Sequence, residues 1–592
     1  MSNSTLPYTL RRIWWHLTPR RRRHFYVLFL VMILASFAEV ISIGAVLPFL
    51  GALTSPEQIF NHPLAQPFIH ALSLTEPEQL LLPLTIVFAL GAVGSGLMRF
   101  ILLWFQTRLG YAIGADFSFK IYHHTLHQTY AVHAARNSSE VISGISNKAN
   151  SIVGDAILPF ASIVSSIIML ISILIALLFI DPVVAMSAFA GFAAIYFVIM
   201  VIVRKALARD SQLINYETTR VIKALQEGLG GIRDVLLDGT QAVYCKIYRN
   251  ADLPLRRAQA NVSVISGSPR YGIEALGMVL IAMLAYSLAG QADGFAGALP
   301  VLGAMALGAQ RLLPVLQLNY ASWAKMLGGK EVSNEVLDLL DQPLPVYADA
   351  PPQTLMPFQR SITLSDLTFQ YDKNAPWVLR DSLNLSIQKG SRIGFIGATG
   401  SGKSTLLDII MGLLQPTGGS IAVDGVNVTE QNFRGWQGHI AHVPQAIFLA
   451  DISIAENIAF GVPAEEIDYA RVYQAAQKAQ IAGAIESWSK QYNTLVGERG
   501  VRLSGGQRQR IGIARALYKE ADVIVFDEAT SALDNDTERA VMEAIEDLGD
   551  ELTVIIVAHR LTTLKNCSQI VELQDGKIKR MGSYTDIVDQ SA

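Results

Sequence analysis

Apolar and polar residues divide the chain into two parts of different character. Six stretches, 24–50, 81–105, 157–180, 182–203, 261–291 and 295–320, are long runs of apolar residues with few charges. Each can cross the roughly 30 Å hydrocarbon core of a bilayer as a helix rising about 1.5 Å per residue. The pattern predicts six transmembrane helices within residues 24–325. From residue 360 onward the apolar runs are short, as in RIGFIG and VIVF, and are separated by charged and Gly-rich segments. That alternation predicts a soluble domain of strands and helices. Residues 326–359, ending in the Pro- and Ala-rich VYADAPPQTLMPF, are the expected linker.

Charge in the connecting segments predicts orientation. Segments 51–80, 179–182 and 290–296 contain no Lys or Arg. Segments 106–156 and 204–260 contain many, among them Arg108, Lys120, Lys148, Arg204, Arg209 and Lys223, and Arg20 to Arg23 precede the first span. Basic loops stay on the cytoplasmic side, so both termini are expected there. The two basic segments read as helical extensions of the spans, carrying coupling contacts near 129–136 and 210–218. Residues 1–23 place Trp14 and Trp15 beside arginines, which predicts a short interfacial helix and no cleavable leader. In the first outer loop, Ile59, Phe60, Leu64, Phe68, Ile69 and Leu72 could share one face. They predict an external helix at about 55–75, the alternative being a loop packed on the protein itself.

Composition agrees with this division. Hydrophobic residues make up 51% of the 592 and charged residues 16%, below the roughly 25% usual for soluble domains. The net charge of −3 says little about partners, and no nucleic-acid partner is expected. Cys245 and Cys567 stand far apart and suggest neither a disulfide framework nor a metal site.

The second part carries the recognisable chemistry. In GFIGATGSGKSTLLDIIMGLL, Gly397, Ala398, Thr399, Gly400, Ser401, Gly402, Lys403 and Ser404 form G-x-x-x-x-G-K-S between an apolar strand and an apolar helix, followed by Thr405. Glycines let backbone N–H groups converge on phosphate oxygens, and the helix N-terminus adds its positive dipole end. Lys403 is suited to the β- and γ-phosphates and Ser404 to Mg²⁺. In VIVFDEATSALD, Asp527 at a strand end is placed to hold Mg²⁺, and Glu528 to polarise the attacking water. Between them, VRLSGGQRQRIGIARAL opens a helix with Ser504, Gly505, Gly506 and Gln507.

These motifs, in this order, resemble the ATP-binding-cassette family. The resemblance implies a multi-domain fold: a six-helix all-α transmembrane domain of exporter type, then an α/β P-loop ATPase, the cassette, at 360–592. It also implies ATP and Mg²⁺ as ligands. Tyr371 resembles the aromatic that stacks on adenine. Gln445 resembles the glutamine that contacts Mg²⁺, and His559 the switch histidine. Asp534 closes SALD, which resembles the dimer-communicating loop. The family sets Ser504 and Gly506 on the nucleotide of the opposite cassette. One cassette with six spans therefore implies a half-transporter, and the intact motif set favours a homodimer.

Charges inside the spans address the cargo. Arg99, Arg270 and Arg311 fall roughly 27, 31 and 24 Å below the outer ends of their spans, and Glu39 about 16 Å. Charge at such depth is costly and usually faces a cavity or a partner. Arg270 and Glu274 are four residues apart and could simply pair. Three arginines at one level instead suit a phosphate or pyrophosphate. With the long outer loop, they resemble the bacterial flippases of lipid-linked oligosaccharides, in the inner membrane. That resemblance implies a membrane-lipid partner and a polyprenyl-pyrophosphate-linked saccharide as substrate. A lipid A or phospholipid flippase, or a peptide or drug exporter, is the alternative. Intact Glu528 and His559 weigh against an ATP-gated channel or regulator.

Overall fold

The computed structural model describes residues 5–588 apart from 55, 64, 136–141, 143, 180–181, 273, 276–277, 280–281, 283–311, 346, 349–352, 530–534, 547–550 and 559–560. The chain forms two compact units. One contains Met1–His127 and Arg136–Leu344, the other Gln128–Ala135 and Pro345–Ala592.

The first unit is helical. Its elements are α1 (Leu6–His16), α2 (Pro19–Gly44), α3 (Val46–Thr54), α4 (Pro56–Phe60), α5 (Gln66–Ala71) and α6 (Leu81–Leu126). After α7 (Tyr130–Ala135), which belongs to the second unit, come α8 (Leu158–Leu178), α9 (Pro182–Gly230), α10 (Gln241–Gly267) and α11 (Lys330–Leu340). Thr18 caps α2, its hydroxyl accepting from the Arg21 N–H, and Pro19 sits in the first turn, where it has no N–H to lose. Among the described residues, Pro19–Leu53, Pro77–Leu126 and Ala149–Ala176 are long and apolar enough to cross a membrane. The expected fourth span is the beginning of α9. Much of the expected fifth and sixth lies outside the described residues.

The long helices outrun a bilayer. α6 has 46 residues and α9 has 49, about 69 and 74 Å at 1.5 Å per residue. On the N-terminal half of α6, Leu82, Ile86, Leu90, Val93 and Leu97 recur at helical spacing and are each at least half exposed. A stripe of that size on a water-soluble protein would drive association, whereas lipid accepts it.

Three expectations change in detail. The first span does not run unbroken to residue 50. α2 stops at Gly44 and α3 restarts at Val46, because Pro48 has no N–H to offer the Gly44 carbonyl one turn earlier. The external segment is two short helices, α4 and α5, separated by a turn around Pro63 and bridged where Gln66 Nε2 donates to the Phe60 carbonyl at 2.8 Å. Its apolar residues also divide, with Ile69 buried and Phe68 and Leu72 exposed; Leu64 lies outside the described residues. Finally, the first half of the linker is helical. α11 packs into the first unit, burying Val332, Val336, Leu337 and Leu340. α1 clamps it: Thr9 Oγ1 donates to Asn334 at 2.7 Å, Arg12 reaches Asp338 at 2.7 Å, and His16 Nε2 lies 2.7 Å from Asp341.

The second unit is built on two sheets. One has the order β2-β1-β4-β5, with β1 Ser361–Phe369, β2 Leu379–Gln388, β4 Gly418–Val423 and β5 Val426–Asn427. The other has the order β10-β9-β3-β8-β7-β6. Its strands are β3 Arg392–Ile396, β6 Ile440–Val443, β7 Val523–Asp527, β8 Thr553–Val557, β9 Gln569–Gln574 and β10 Lys577–Gly582. β3, β6, β7, β8 and β9 run parallel. β7 and β8 are continuous apolar runs because both their faces are covered. Register sets the site. Phe395 and Asp527 both pair with Val557, so the segments after β3 and β7 leave the same edge of the sheet. Ligands bind at that carboxyl edge in open α/β sheets.

Candidate functional site

The loop after β3 is a backbone cradle. Gly397 has φ 147° and Gly402 φ 99°, conformations that side-chained residues rarely adopt. A Cβ on Gly397 would lie 2.2 Å from the Leu573 carbonyl oxygen, and one on Gly402 would lie 2.8 Å from Leu379. The two glycines therefore let the loop press against β9 and β2 while Ala398, Thr399 and Gly400 stay exposed. Ser401 is buried. Helix α12 (Lys403–Ile410) begins at the loop's end with Lys403 buried in its first turn and Ser404 exposed. Lys403 Nζ donates to the carbonyls of Gly397 and Ala398 at 2.7 and 3.0 Å, so its ammonium arches over the loop. Burial lowers its pKa, against the raising influence of Glu528 and Asp527. Tyr371 stands at the rim, more than half exposed, with its hydroxyl 3.2 Å from Thr405 Oγ1.

Opposite the cradle, Asp527 ends β7. Burial first, then the neighbouring Glu528, raises its pKa, and Lys403 opposes the shift. Glu528 follows at φ 51°, held in this left-handed conformation by its N–H bond to the Val557 carbonyl at 3.0 Å. Strain of this kind persists where the surroundings over-determine a residue. Gln445, two residues beyond β6, donates from Nε2 to Glu528 Oε2 at 2.7 Å. The structure thus brings Lys403, Asp527, Glu528 and Gln445 to one sheet edge. Ser404, Asp527 and Gln445 supply hard oxygen donors of the type Mg²⁺ takes, and the glycine cradle fits a triphosphate.

Two further residues were not picked out by motif. Asp408 lies one helical turn after Ser404. Its carboxyl is raised to about 6, chiefly by burial and then by Asp527. The i, i+4 spacing from Ser404 was the available signal. Tyr130 of α7 belongs to the cassette's own unit, where its phenol is raised by burial and then by Asp408 and Tyr371. Nothing local in QTYAVHAA points to that placement.

The signature segment forms a separate corner. Ser504 caps α14 (Gly505–Tyr518; α13 is Tyr469–Lys478), and its hydroxyl accepts from the Gln507 N–H while Gln507 Oε1 accepts from the Ser504 N–H. Gln507, expected to meet nucleotide, uses its side-chain oxygen in this capping box. Gly505 is exposed and Gly506 partly so. His559 and Asp534 lie outside the described residues.

In the first unit, Glu39 is fully buried and accepts from the Ser95 hydroxyl, and Arg99 Nε approaches Glu39 Oε2 at 3.6 Å. Glu39 and Arg99, expected at different depths, therefore meet through their side chains. α2 and α6 pack side by side, with Phe49 stacked on Phe88 at 5.2 Å. The long Arg99 side chain then spans the turn between Ser95 and its own Cα. Arg270 pairs with Glu274, Nε to Oε1 2.8 Å, yet remains 61% exposed. It borders a cavity of about 250 Å³ that Pro314, Gln317 and Tyr320 also line. The Ser268 N–H still donates to the Val264 carbonyl at 2.8 Å, but Pro269 has no N–H for the Ile265 carbonyl, which accepts from the Tyr320 hydroxyl at 3.2 Å instead. Arg311 lies outside the described residues.

A model of the ABC transporter transmembrane region matches residues 5–294, and the ABC transporter model matches 380–531. An ATP-dependent lipid A-core flippase of Saccharophagus degradans is 37% identical over 267 residues, 45% of this chain and 44% of its own length. The chain thus spans about half of that relative. A protein of the same name from Paraburkholderia xenovorans is 27% identical over 80% of this chain and 79% of its own. The solved structure of a bacterial Atm1-family ABC exporter with ATP bound superposes with a TM-score of 0.78 over 96% of both chains, at 23% identity. The chain belongs to the ATP-binding-cassette transporters, with an exporter-type helical membrane domain ahead of an ATP-binding cassette.

Proposed function

We propose that the protein hydrolyses ATP to carry a lipid with an anionic head group from the cytoplasmic to the outer leaflet of a bacterial inner membrane. The observation that carries the ATPase part is the Gln445–Glu528 hydrogen bond at the sheet edge shared with the Lys403 cradle. Lys403 and the loop amides hold the phosphates. Gln445 holds the Glu528 carboxylate in place to accept a hydrogen bond from water, orient it toward the γ-phosphorus and take its proton as the water oxygen bonds to that phosphorus and the bond to the β-phosphate oxygen breaks, with ADP leaving. Ser404, Asp527 and Gln445 would hold Mg²⁺, which would supply charge neutralisation on the phosphate oxygens. Ser504 and Gly506 complete the site from a second copy, so the working unit is a homodimer.

For cargo, the exposed Arg270 beside its cavity supports an anion site, with Arg311 as its expected companion. We favour a polyprenyl-pyrophosphate-linked oligosaccharide, whose pyrophosphate suits bidentate guanidinium contacts. A lipid A-type glycolipid is the second reading, favoured by the names of the relatives. Arg270→Ala is expected to abolish cargo-stimulated ATPase while basal ATPase remains within about 2-fold of wild type. Full stimulation in that variant rules out the Arg270 anion site.

A further inference from the structure

A groove in the first unit, distinct from the cavity at Arg270, has the polarity of a phospholipid. It encloses about 610 Å³ between the start of α1, the middle of α9 and the helix leading into α11. Phe197, Val201 and Arg204 of α9 line it, together with Trp323, Leu327 and Lys330 of the helix leading into α11. No lining residue is shared with the cavity at Arg270.

The two walls are graded alike. Phe197 precedes Arg204 by seven residues, and Trp323 precedes Lys330 by seven. Both segments are read as running from the outer face to the inner one. Each wall therefore offers an aromatic ring and then, about 10 Å closer to the cytoplasm, a cation. Depth agrees. Arg204 is the first charged residue after Pro182, about 33 Å along α9, which is one hydrocarbon thickness from the outer end. Phe197 and Val201 are 68% and 60% exposed, so that wall is open to acyl chains. Among the described residues Arg204 makes no ion pair, and Lys330 makes a loose one, 3.6 Å to Glu331. Arg209, one turn further on, is already paired with Asp210.

We propose that this groove binds an anionic phospholipid of the inner leaflet, its phosphate between Arg204 and Lys330 and its chains along Phe197, Val201 and Trp323. Charge complementarity selects the head group, since basic pockets between transmembrane helices at the cytoplasmic side attract anionic lipids. The lipid ties α1 to α9 and to the helix that continues into α11. This site is a resident one, independent of the cargo reading above.

The test is native mass spectrometry of the full-length protein released from bilayers of equimolar phosphatidylglycerol and phosphatidylcholine. The wild type is expected to retain phosphatidylglycerol selectively. Retention should fall about 5-fold in Arg204→Gln or Lys330→Gln and about 30-fold in the double variant. Lys205→Gln, on the same helix but outside the groove, should retain the wild-type amount. Equal retention of the two lipids, or no loss in the double variant, overturns the proposal. A thermal shift on the wild type alone guards against misfolded variants. Phosphatidylglycerol in phosphatidylcholine micelles should raise the melting temperature, and no rise, or an equal rise with inorganic phosphate alone, overturns the lipid assignment. Because the readouts are lipid retention and melting, a failed cargo assay leaves this result standing.

Discussion

Glu528 is the residue on which the chemistry turns, and its geometry explains why. A left-handed backbone turn and the Gln445 bond aim its carboxylate away from β7 toward the cradle. Glu528→Gln should reduce steady-state ATP turnover about 10²- to 10⁴-fold, the range for a lost general base, while retaining nucleotide binding. Phosphate release with parallel nucleotide-binding measurements checks this, and near-wild-type turnover would remove Glu528 from the role. Asp408 carries a pH prediction. Its folded pKa, about 6, lies above the ordinary 3.8, so between those values the folded state binds the proton more tightly. Stability therefore falls as pH rises from about 4 to 6. Asp408→Asn should flatten the melting temperature of the cassette transition across that window, and an unchanged slope contradicts the assignment. At this scale Lys403, Ser404, Asp527 and Glu528 were legible as motifs because phosphate chemistry demands fixed spacing. Asp408 was not, because its perturbation depends on burial and on Asp527, which is distant in sequence.

The elements divide in the same way. The lengths of α6 and α9 and the parallel strands β7 and β8 follow from uninterrupted apolar runs, and the breaks follow from single prolines. Pairing between helices is not written in either helix alone. Glu39 and Arg99 were read as separate candidates for cargo at different depths, yet they meet across α2 and α6. Removing Arg99 strands the buried Glu39 carboxylate, but because the Arg99 side chain is 41% exposed the loss falls below the roughly 3–5 kcal/mol of a fully buried pair. Arg99→Ala should therefore lower the melting temperature of the membrane unit, and Glu39→Gln in the same chain should restore most of the loss. Thermal unfolding of the two single variants and the double variant reads this coupling. Additive losses would mean that the pair is incidental and would return Arg99 to the cargo site. The outer segment makes a related point. Spacing suggested one helix, but the turn around Pro63 yields α4 and α5.

For the whole molecule, a membrane domain with a lipid-facing stripe and a cassette with an assembled phosphate site form one chain. α7 groups with the cassette's unit although the sequence on either side of it belongs to the membrane unit. Sequence spacing could not indicate Tyr130's neighbours there, Asp408 and Tyr371. The central claim is that ATP hydrolysis moves an anionic lipid-linked cargo. Its most direct test is reconstitution in proteoliposomes with polyprenyl-pyrophosphate oligosaccharide, reading ATP-dependent appearance of the glycan on the opposite leaflet. Lipid A and peptide serve as parallel cargoes. Transport of the pyrophosphate lipid is expected from the wild type and none from Glu528→Gln or Arg270→Ala. ATP-dependent transport of peptide alone, or of no lipid at all, would contradict it.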